Sequence, residues 1–437
     1  MTAPEGITPF KQFVASLKDI EPAQRAAEVG SNARNANAVE EMTAHLMHQY
    51  DGVEAVHSFM DENGSVFDCV PIEQQPALRQ KRAKIATPVD LPAATGKLAR
   101  GAETSEQMES QQASPVTQLS PERADRYGNA MQAPPGTIPM RRLTIENLTR
   151  FETLRNFFEK SPYGSAPPPR ANDAKPLSPQ RRRAARQLPA VAATHRWAHA
   201  SQGVRNLGGH SFLNVWDPAI GANQVFSLSQ HWYLGGSGAR LQTAEVGWQV
   251  YPRMYGNSKP VFFIYWTADN YKTTGCYNLS CTAFVQTNGS WAIGGAISPG
   301  STPGGRLCEI EASFYLVRGN WWLYVGGGAA GNAIGYYPTS IYRNGALASK
   351  AAEIDYGGET VGTTSWPPMG GGAFANQGYQ HAAYQRDIRY FPAAGGNNVA
   401  SLTATSASPT CYTAEVTLFN PSWSETLFFG GPGGNNC

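Results

Sequence analysis

The sequence predicts an all-β domain, an antiparallel β-sandwich, behind a mixed and partly helical first half. Three observations carry that expectation. All ten Trp, from Trp197 to Trp423, follow residue 190. The 45 Gly and 31 Pro suit short strands joined by tight turns better than a helical bundle. Short alternating runs such as QVFSLSQHWYL, VFFIYWTA and WWLYVGG recur through 191–437 between Gly, Asn, Pro and Ser. Charge is distributed the other way, with 23 of the 35 Lys+Arg and 22 of the 33 Asp+Glu in residues 1–190, so at least two units are expected.

In chain order, apolar residues recur at three-to-four spacing over 9–29, over 37–50 and from Thr144 to Ser161, with Thr144 as a candidate N-cap. Residues 85–135 carry little periodicity. Residues 162–190 mix prolines with Arg181, Arg182, Arg183 and Arg186, which no compact element accommodates easily. They read as an exposed linker, either cleavable or a plain tether. The β domain then spans 191–437, where no helix longer than a turn or two is expected. Within it, Gly235-Gly236-Ser237-Gly238 reads as a hairpin turn.

The net charge of +2 makes no case for nucleic acid, and no run of 18 apolar residues exists to span a membrane. The opening MTAPEGITPF lacks the pattern of a signal peptide, so a secreted protein would be written here without its leader. Of the six Cys, Cys276 and Cys281 flank a loop that brings them into bridging range, and Cys437 reads as a staple of the tail, paired with Cys411. With Asn147, Asn278 and Asn288 in N-x-S/T sequons, an extracellular setting is the better reading. No CxxC occurs, and His195 and His199, the one pair near metal spacing, are placed in the linker, so no metal or cofactor is expected.

A G-x-S-x-G turn, HExxH, a P-loop and a dinucleotide fingerprint are absent. Only eleven acids follow residue 190, and two sit in strand-like sequence beside glycine. In 244–250, alternation puts Ala244, Val246, Trp248 and Val250 on a packed face and Glu245, Gly247 and Gln249 on the other, so Glu245 looks into a groove with a gap at Gly247. Glu359 follows Gly357 and Gly358, which suit close approach of a peptide backbone. Either acid alone is a solvated outer-face residue. A facing pair shares a proton at mildly acidic pH, which serves peptide hydrolysis by a bound water or glycoside hydrolysis on an aromatic-lined sheet.

The sequence resembles the neprosin family of glutamic peptidases. The resemblance rests on FSLSQHW (226–232), AEVGWQVYPRMYG (244–256), the run 262–286, GYYP (335–338), YGGE (356–359) and FFGGPGGNNC (428–437), and upstream on VFDCVPIEQQPAL (66–78) and GTIPMRR (136–142). It covers roughly 60–437, leaving the first 60 residues unassigned. It implies a secreted zymogen: a propeptide over 1–161 that inhibits its own β-sandwich peptidase domain, cleaving after proline. The family's two glutamates fall on Glu245 and Glu359, and the pairings Cys276–Cys281 and Cys411–Cys437 agree with the family pattern. One departure is Ala133-Pro134-Pro135, where plant members carry a cysteine. It leaves Cys69 and Cys308 as a third bridge or two free thiols.

On this reading the chain is a monomer acting on proline-containing peptides. One glutamate activates water, the other stabilises the oxyanion and protonates the amine, and Tyr265, Trp266 and Tyr336 are candidates for a proline-ring pocket. Acid weakens propeptide docking, followed by self-cleavage between about 165 and 195, with a host protease at the Arg181–Arg186 cluster as the competing route. The rival is a secreted carbohydrate-binding or glycoside-hydrolysing sandwich, in which the two glutamates contact sugar hydroxyls.

Overall fold

The structure is a computed structural model describing residues 6–79, 84–94, 113–160, 193–406, 408–420, 422–435 and 437. The expected linker over 162–190 lies outside the described residues.

The first half begins with α1 (Phe10–Ser16), α2 (Pro22–Ala27) and α3 (Ala36–Tyr50). The Asn35 side chain caps α3, accepting from the Ala38 N–H at 3.0 Å, and Val39, Met42, Leu46 and Tyr50 form its buried stripe. There follow β1 (His57–Met60), β2 (Val66–Pro71), α4 (Pro76–Arg79), β3 (Ser114–Pro115) and β4 (Thr137–Arg141), of which β1, β2 and β4 form a small antiparallel sheet. The single helix expected over 144–161 is instead two short ones, α5 (Ile145–Leu148) and α6 (Leu154–Phe158). Thr144 caps the first as expected, in a reciprocal capping box with Asn147. Thr153 accepts from the Asn156 N–H and starts the second, so a cap inside the periodic stretch divides it.

The second half is β throughout. Its strands are β5 (Thr194–Asn214), β6 (Gln224–Gly235), β7 (Gln242–Val250), β8 (Val261–Thr267), β9 (Cys276–Tyr277), β10 (Val285–Gln286), β11 (Cys308–Val317), β12 (Asn320–Val325), β13 (Ala333–Pro338), β14 (Ala351–Gly362), β15 (Ala383–Pro392), β16 (Asn398–Val399), β17 (Thr403–Ser406), β18 (Thr413–Leu418) and β19 (Glu425–Gly430). The Pro252–Tyr255 turn is the α-helix among its described residues, and β6 and β7 form the expected hairpin. One path runs β10-β13-β12-β11-β5-β14-β6-β7-β8-β9, antiparallel at every step. The pivot is β5, whose first half pairs with β14 and β17 and whose second half pairs with β11 and β15. At the changeover Gly208 has φ +118°, and a Cβ there would overlap the Phe314 carbonyl, so the bend requires glycine.

The branch folds the sheet onto itself. Ala244, Val246, Trp248 and Val250 of β7 pack in one core with Ile310, Phe314, Trp321, Leu323 and Ile334 of β11 to β13. The face of β7 expected to be packed is therefore the packed one. The opposite face of this layer is not solvated. Leu228, Tyr251, Phe263, Tyr265, Tyr277 and Val361 join a second core with Phe10, Val39, Met42, Leu46, Ile145, Leu148 and Phe157 of the first half. The described residues of the first half, 6–60 among them, thus form a cover laid on this face of the sheet.

Candidate active site

Register positions the acids. A row of cross-strand neighbours runs Asp355, Trp232, Glu245, Tyr265 and Tyr277 across β14, β6, β7, β8 and β9. Two residues along, the next row runs His199, Gly357, Gln230 and Gly247, and the third runs Trp197, Glu359, Leu228 and Gln249. Residues two apart share a face. Glu245 and Glu359 therefore stand on the covered face, two strands apart, on either side of Gln230.

Between them lies Lys160, two residues past α6. Its ammonium has three N–H bonds and three acceptors: Gln230 Oε1 at 3.2 Å, Glu245 Oε2 at 2.5 Å and Glu359 Oε2 at 2.9 Å. The remaining oxygens are also held. Glu245 Oε1 accepts from Thr243 Oγ1 and the Tyr271 hydroxyl, each at 2.7 Å. Glu359 Oε1 pairs with His195 Nδ1, and Glu359 Oε2 accepts from Gln230 Nε2 at 3.3 Å. Glu245, Glu359 and Lys160 are 0%, 2% and 6% exposed, so the charges are compensated by one another rather than by water.

The electrostatics follow from that burial. Burial pushes the Glu359 carboxyl up, but the Lys160 and His195 charges beside it win and hold it down to about 2. Burial pulls the Lys160 amine down, and Glu245 and Glu359 outweigh it, so its pKa lies above the usual value. Lys160 thus fixes Glu359 as an ion.

Tyr271 reaches Glu245 from a strained loop. It has φ +61°, as does Asn270, a conformation rare for a bulky side chain. Asp269 holds that loop, accepting from the N–H groups of Lys272, Thr273 and Thr274 at 3.2, 3.0 and 3.1 Å. Its own burial raises its pKa, but these bonds and those from the Thr273 and Thr274 hydroxyls bring it to about 2. A second pair lies along β5: His199 Nδ1 meets Asp355 Oδ1 at 2.7 Å. Burial raises Asp355 to about 6 against the opposing effect of His199.

Several expectations need correction. His195 and His199 belong to β5, not to a linker, and each holds a carboxylate. The glycines leave no gap for a ligand: a Cβ at Gly247 would strike Ser229 O and Gln230 Cα, one at Gly357 the Ala198 and His199 backbone, and one at Gly358 Met369 and Phe429. They permit strand crowding instead. Cys276–Cys281 and Cys411–Cys437 are bridged as expected, whereas Cys69 and Cys308 are buried free thiols in different clusters, so the third bridge does not form. Of the three candidate pocket aromatics, Tyr265 adjoins Glu245 across the β7/β8 ladder. Trp266 faces the other way, edge-on to Tyr342. Tyr336 sits in a separate cluster with Val285, Trp322 and Tyr324, its hydroxyl accepting from the Ala86 N–H at 3.2 Å. Among the described residues no group of three or more His, Cys, Asp or Glu is placed to hold a metal.

Sequence reasoning missed Lys160, Gln230, His195 and Tyr271. For His195, strand alternation continued back from Trp197 was an available signal. For Lys160 there was none, since its role depends on a contact 85 positions away in the chain.

Residues 223–432 match the neprosin family model. That span is a neprosin domain. Solved structures similar to the chain include two of scytalido-glutamic peptidase, with a transition state analog inhibitor (10% identity, TM-score 0.31) and with a peptide-based transition state analog (9%, 0.30). A third is SCP-B, of the eqolisin family of peptidases, complexed with a tripeptide (9%, 0.28). Each match covers 54% of this chain and 98% of the other. The neprosin family match supports a peptidase, and both proposed glutamates lie inside the matched span.

Proposed function

We propose that the chain is the closed zymogen of a secreted glutamic endopeptidase that cleaves after proline, with Glu245 and Glu359 as its catalytic pair. The observation that carries this reading is the Lys160 ammonium seated between those two acids. The space it fills is where an attacking water and a scissile carbonyl must meet. Its charge also sets the wrong protonation state, because a general acid needs a proton and Lys160 keeps Glu359 ionised to about pH 2.

Withdrawal of Lys160 leaves two buried carboxyl groups facing across Gln230. Like charges so placed share one proton. The ionised member then takes a proton from water as it attacks the carbonyl carbon. The protonated member hydrogen-bonds the developing oxyanion and afterwards donates to the amine as the C–N bond breaks. His195 remains beside Glu359, and Tyr271 with Thr243 remains beside Glu245, orienting the two groups.

Residues 1–161 act as the propeptide and 162–190 as the segment cut at activation. The two disulfides fit an oxidising, extracellular setting. The test is incubation of the full chain at roughly pH 4 and near neutrality, with Glu359→Gln alongside, followed by fragment masses and cleavage of added proline peptides. A cut between about 165 and 195 and post-proline cleavage, both confined to the acidic wild type, are expected. A Glu359→Gln chain that cleaves peptides as fast as wild type would remove the dyad, and an inert wild type that retains glycans would favour a binding sandwich.

A further inference from the structure

Lys160 enters the site by its side chain, but the residues that bring it there are held by their backbone. The Tyr265 hydroxyl donates to the Phe158 carbonyl at 3.1 Å, and the Tyr277 hydroxyl donates to the Lys160 carbonyl at 3.2 Å. Glu159 between them has φ −65° and ψ 140°, an extended polyproline-type conformation. The two bonded carbonyls thus flank a single extended residue, and the hydrogen bonds themselves show that both face the tyrosines. Tyr265 and Tyr277 stand side by side on adjacent strands, in the same cross-strand row as Glu245. Their rings pack at 4.7 Å, which fixes the spacing of the hydroxyls. Gln249 Nε2 donates to the Tyr277 oxygen at 3.3 Å, which leaves the phenol proton directed at the carbonyl.

We propose that Tyr265 and Tyr277 are the main-chain grips of the substrate cleft: when residues 158–160 withdraw, the same two hydroxyls donate to two carbonyls, two residues apart, of an extended peptide crossing Glu245 and Glu359. This rests on the peptidase reading above. Both hydroxyls are buried beneath the cover and donate to its 158–160 backbone, so once that segment withdraws the two donors line the opened cleft at a fixed spacing, where a peptide carbonyl can replace the ones they lost. The grips recognise backbone and not side chains, so they set the line and depth of a bound peptide while leaving its sequence to other pockets. They are positioning residues. The N–H of Glu159 is turned away, donating to the Arg155 carbonyl, and the hydroxyls ask nothing of it, so a residue without an N–H, such as proline, fits between the two gripped carbonyls.

The test uses the full chain after acid treatment, with Tyr277→Phe, Tyr265→Phe and the double variant. The probes are a proline-containing octapeptide and analogues in which one amide carbonyl at a time is reduced to methylene. Each single variant is expected to raise KM three- to tenfold with kcat within about twofold, the size of one neutral hydrogen bond. Wild type should suffer the same loss on one reduced analogue, and the variant should show no further loss on that analogue. A KM unchanged in both single variants, or losses that multiply on every analogue, would overturn the grips. Wild type failing on every peptide would instead overturn the peptidase reading, and the grips with it. Should a variant fold poorly, the wild-type analogue series decides alone: equal KM across all analogues refutes the proposal.

Discussion

At the level of single residues, the site is two carboxylates sharing one ammonium, and Lys160→Met tests it most directly. Removing one partner of a buried ion network costs about 3 to 5 kcal/mol, because the other charges remain buried without compensation. The sign of the pH dependence should also reverse. In wild type the Glu359 pKa is depressed, so its stabilisation is present above the ordinary carboxylate value and is lost as pH falls through the folded value of about 2. Without Lys160 one glutamate binds the shared proton with a raised pKa, and stability is then lost as pH rises. Calorimetric Tm from acid to neutral pH reads both slopes. Tyr271→Phe is milder: it keeps the ring and the strained loop and removes one donor to Glu245 Oε1. A hydrogen bond to a charged group is worth about 1.5 to 3 kcal/mol, so kcat of the activated enzyme should fall roughly ten- to hundredfold while KM stays near wild type. Equal loss in KM would place Tyr271 in binding instead.

At the level of elements, alternation on β7 separated the packed residues from Glu245 because a period of two is a local property. The state of the other face was not legible, because what covers it comes from α1, α3, α5 and α6, far upstream. The glycines misled for a related reason: an absent Cβ signals close approach, but not whose backbone approaches, and here it is β5 and β6. Helix α3 carries the element-level prediction. Its His45 packs edge-on to Phe158 at 5.1 Å, and its ring donates a hydrogen bond to the Ser280 backbone of the β domain. Burial lowers its pKa to about 4. The undocked imidazole binds its proton near 6.5, so docking weakens as pH falls from there to about 4, by on the order of 3 kcal/mol in all. The carboxylate window of Glu359 lies lower, from the ordinary value of 4.5 down to about 2. His45→Phe should remove the upper window and shift acid release of the cover downward by about one pH unit or more, read by limited proteolysis against pH. An unchanged release curve would assign the trigger elsewhere.

At the level of the molecule, composition points to a division near residue 190, and the rare strings point to Glu245 and Glu359, which the fold brings together around Lys160. What composition did not carry was that the charged half and the aromatic half share a core. Phe10, Met42, Leu46 and Phe157 are the cover's contribution to it, opposite Leu228, Phe263, Tyr265 and Val361. Separating the halves therefore exposes apolar surface on both, and binding of a hydrophobic dye should rise on acid activation and return to its starting level when the cleaved cover is added back near neutrality.

The pattern of bridges has a kinetic consequence. Both disulfides lie inside the β domain, and Cys69 of the cover is free. The peptide between 160 and 193 is then the one covalent edge joining cover to sheet. While it is intact the cover sits at an effective concentration of order millimolar, and after a single scission it sits at whatever concentration the protein itself has. Rebinding becomes bimolecular, so on the proposed zymogen reading dilution alone would drive activation to completion, and a chain cut in a concentrated store would stay inhibited until released into a larger volume.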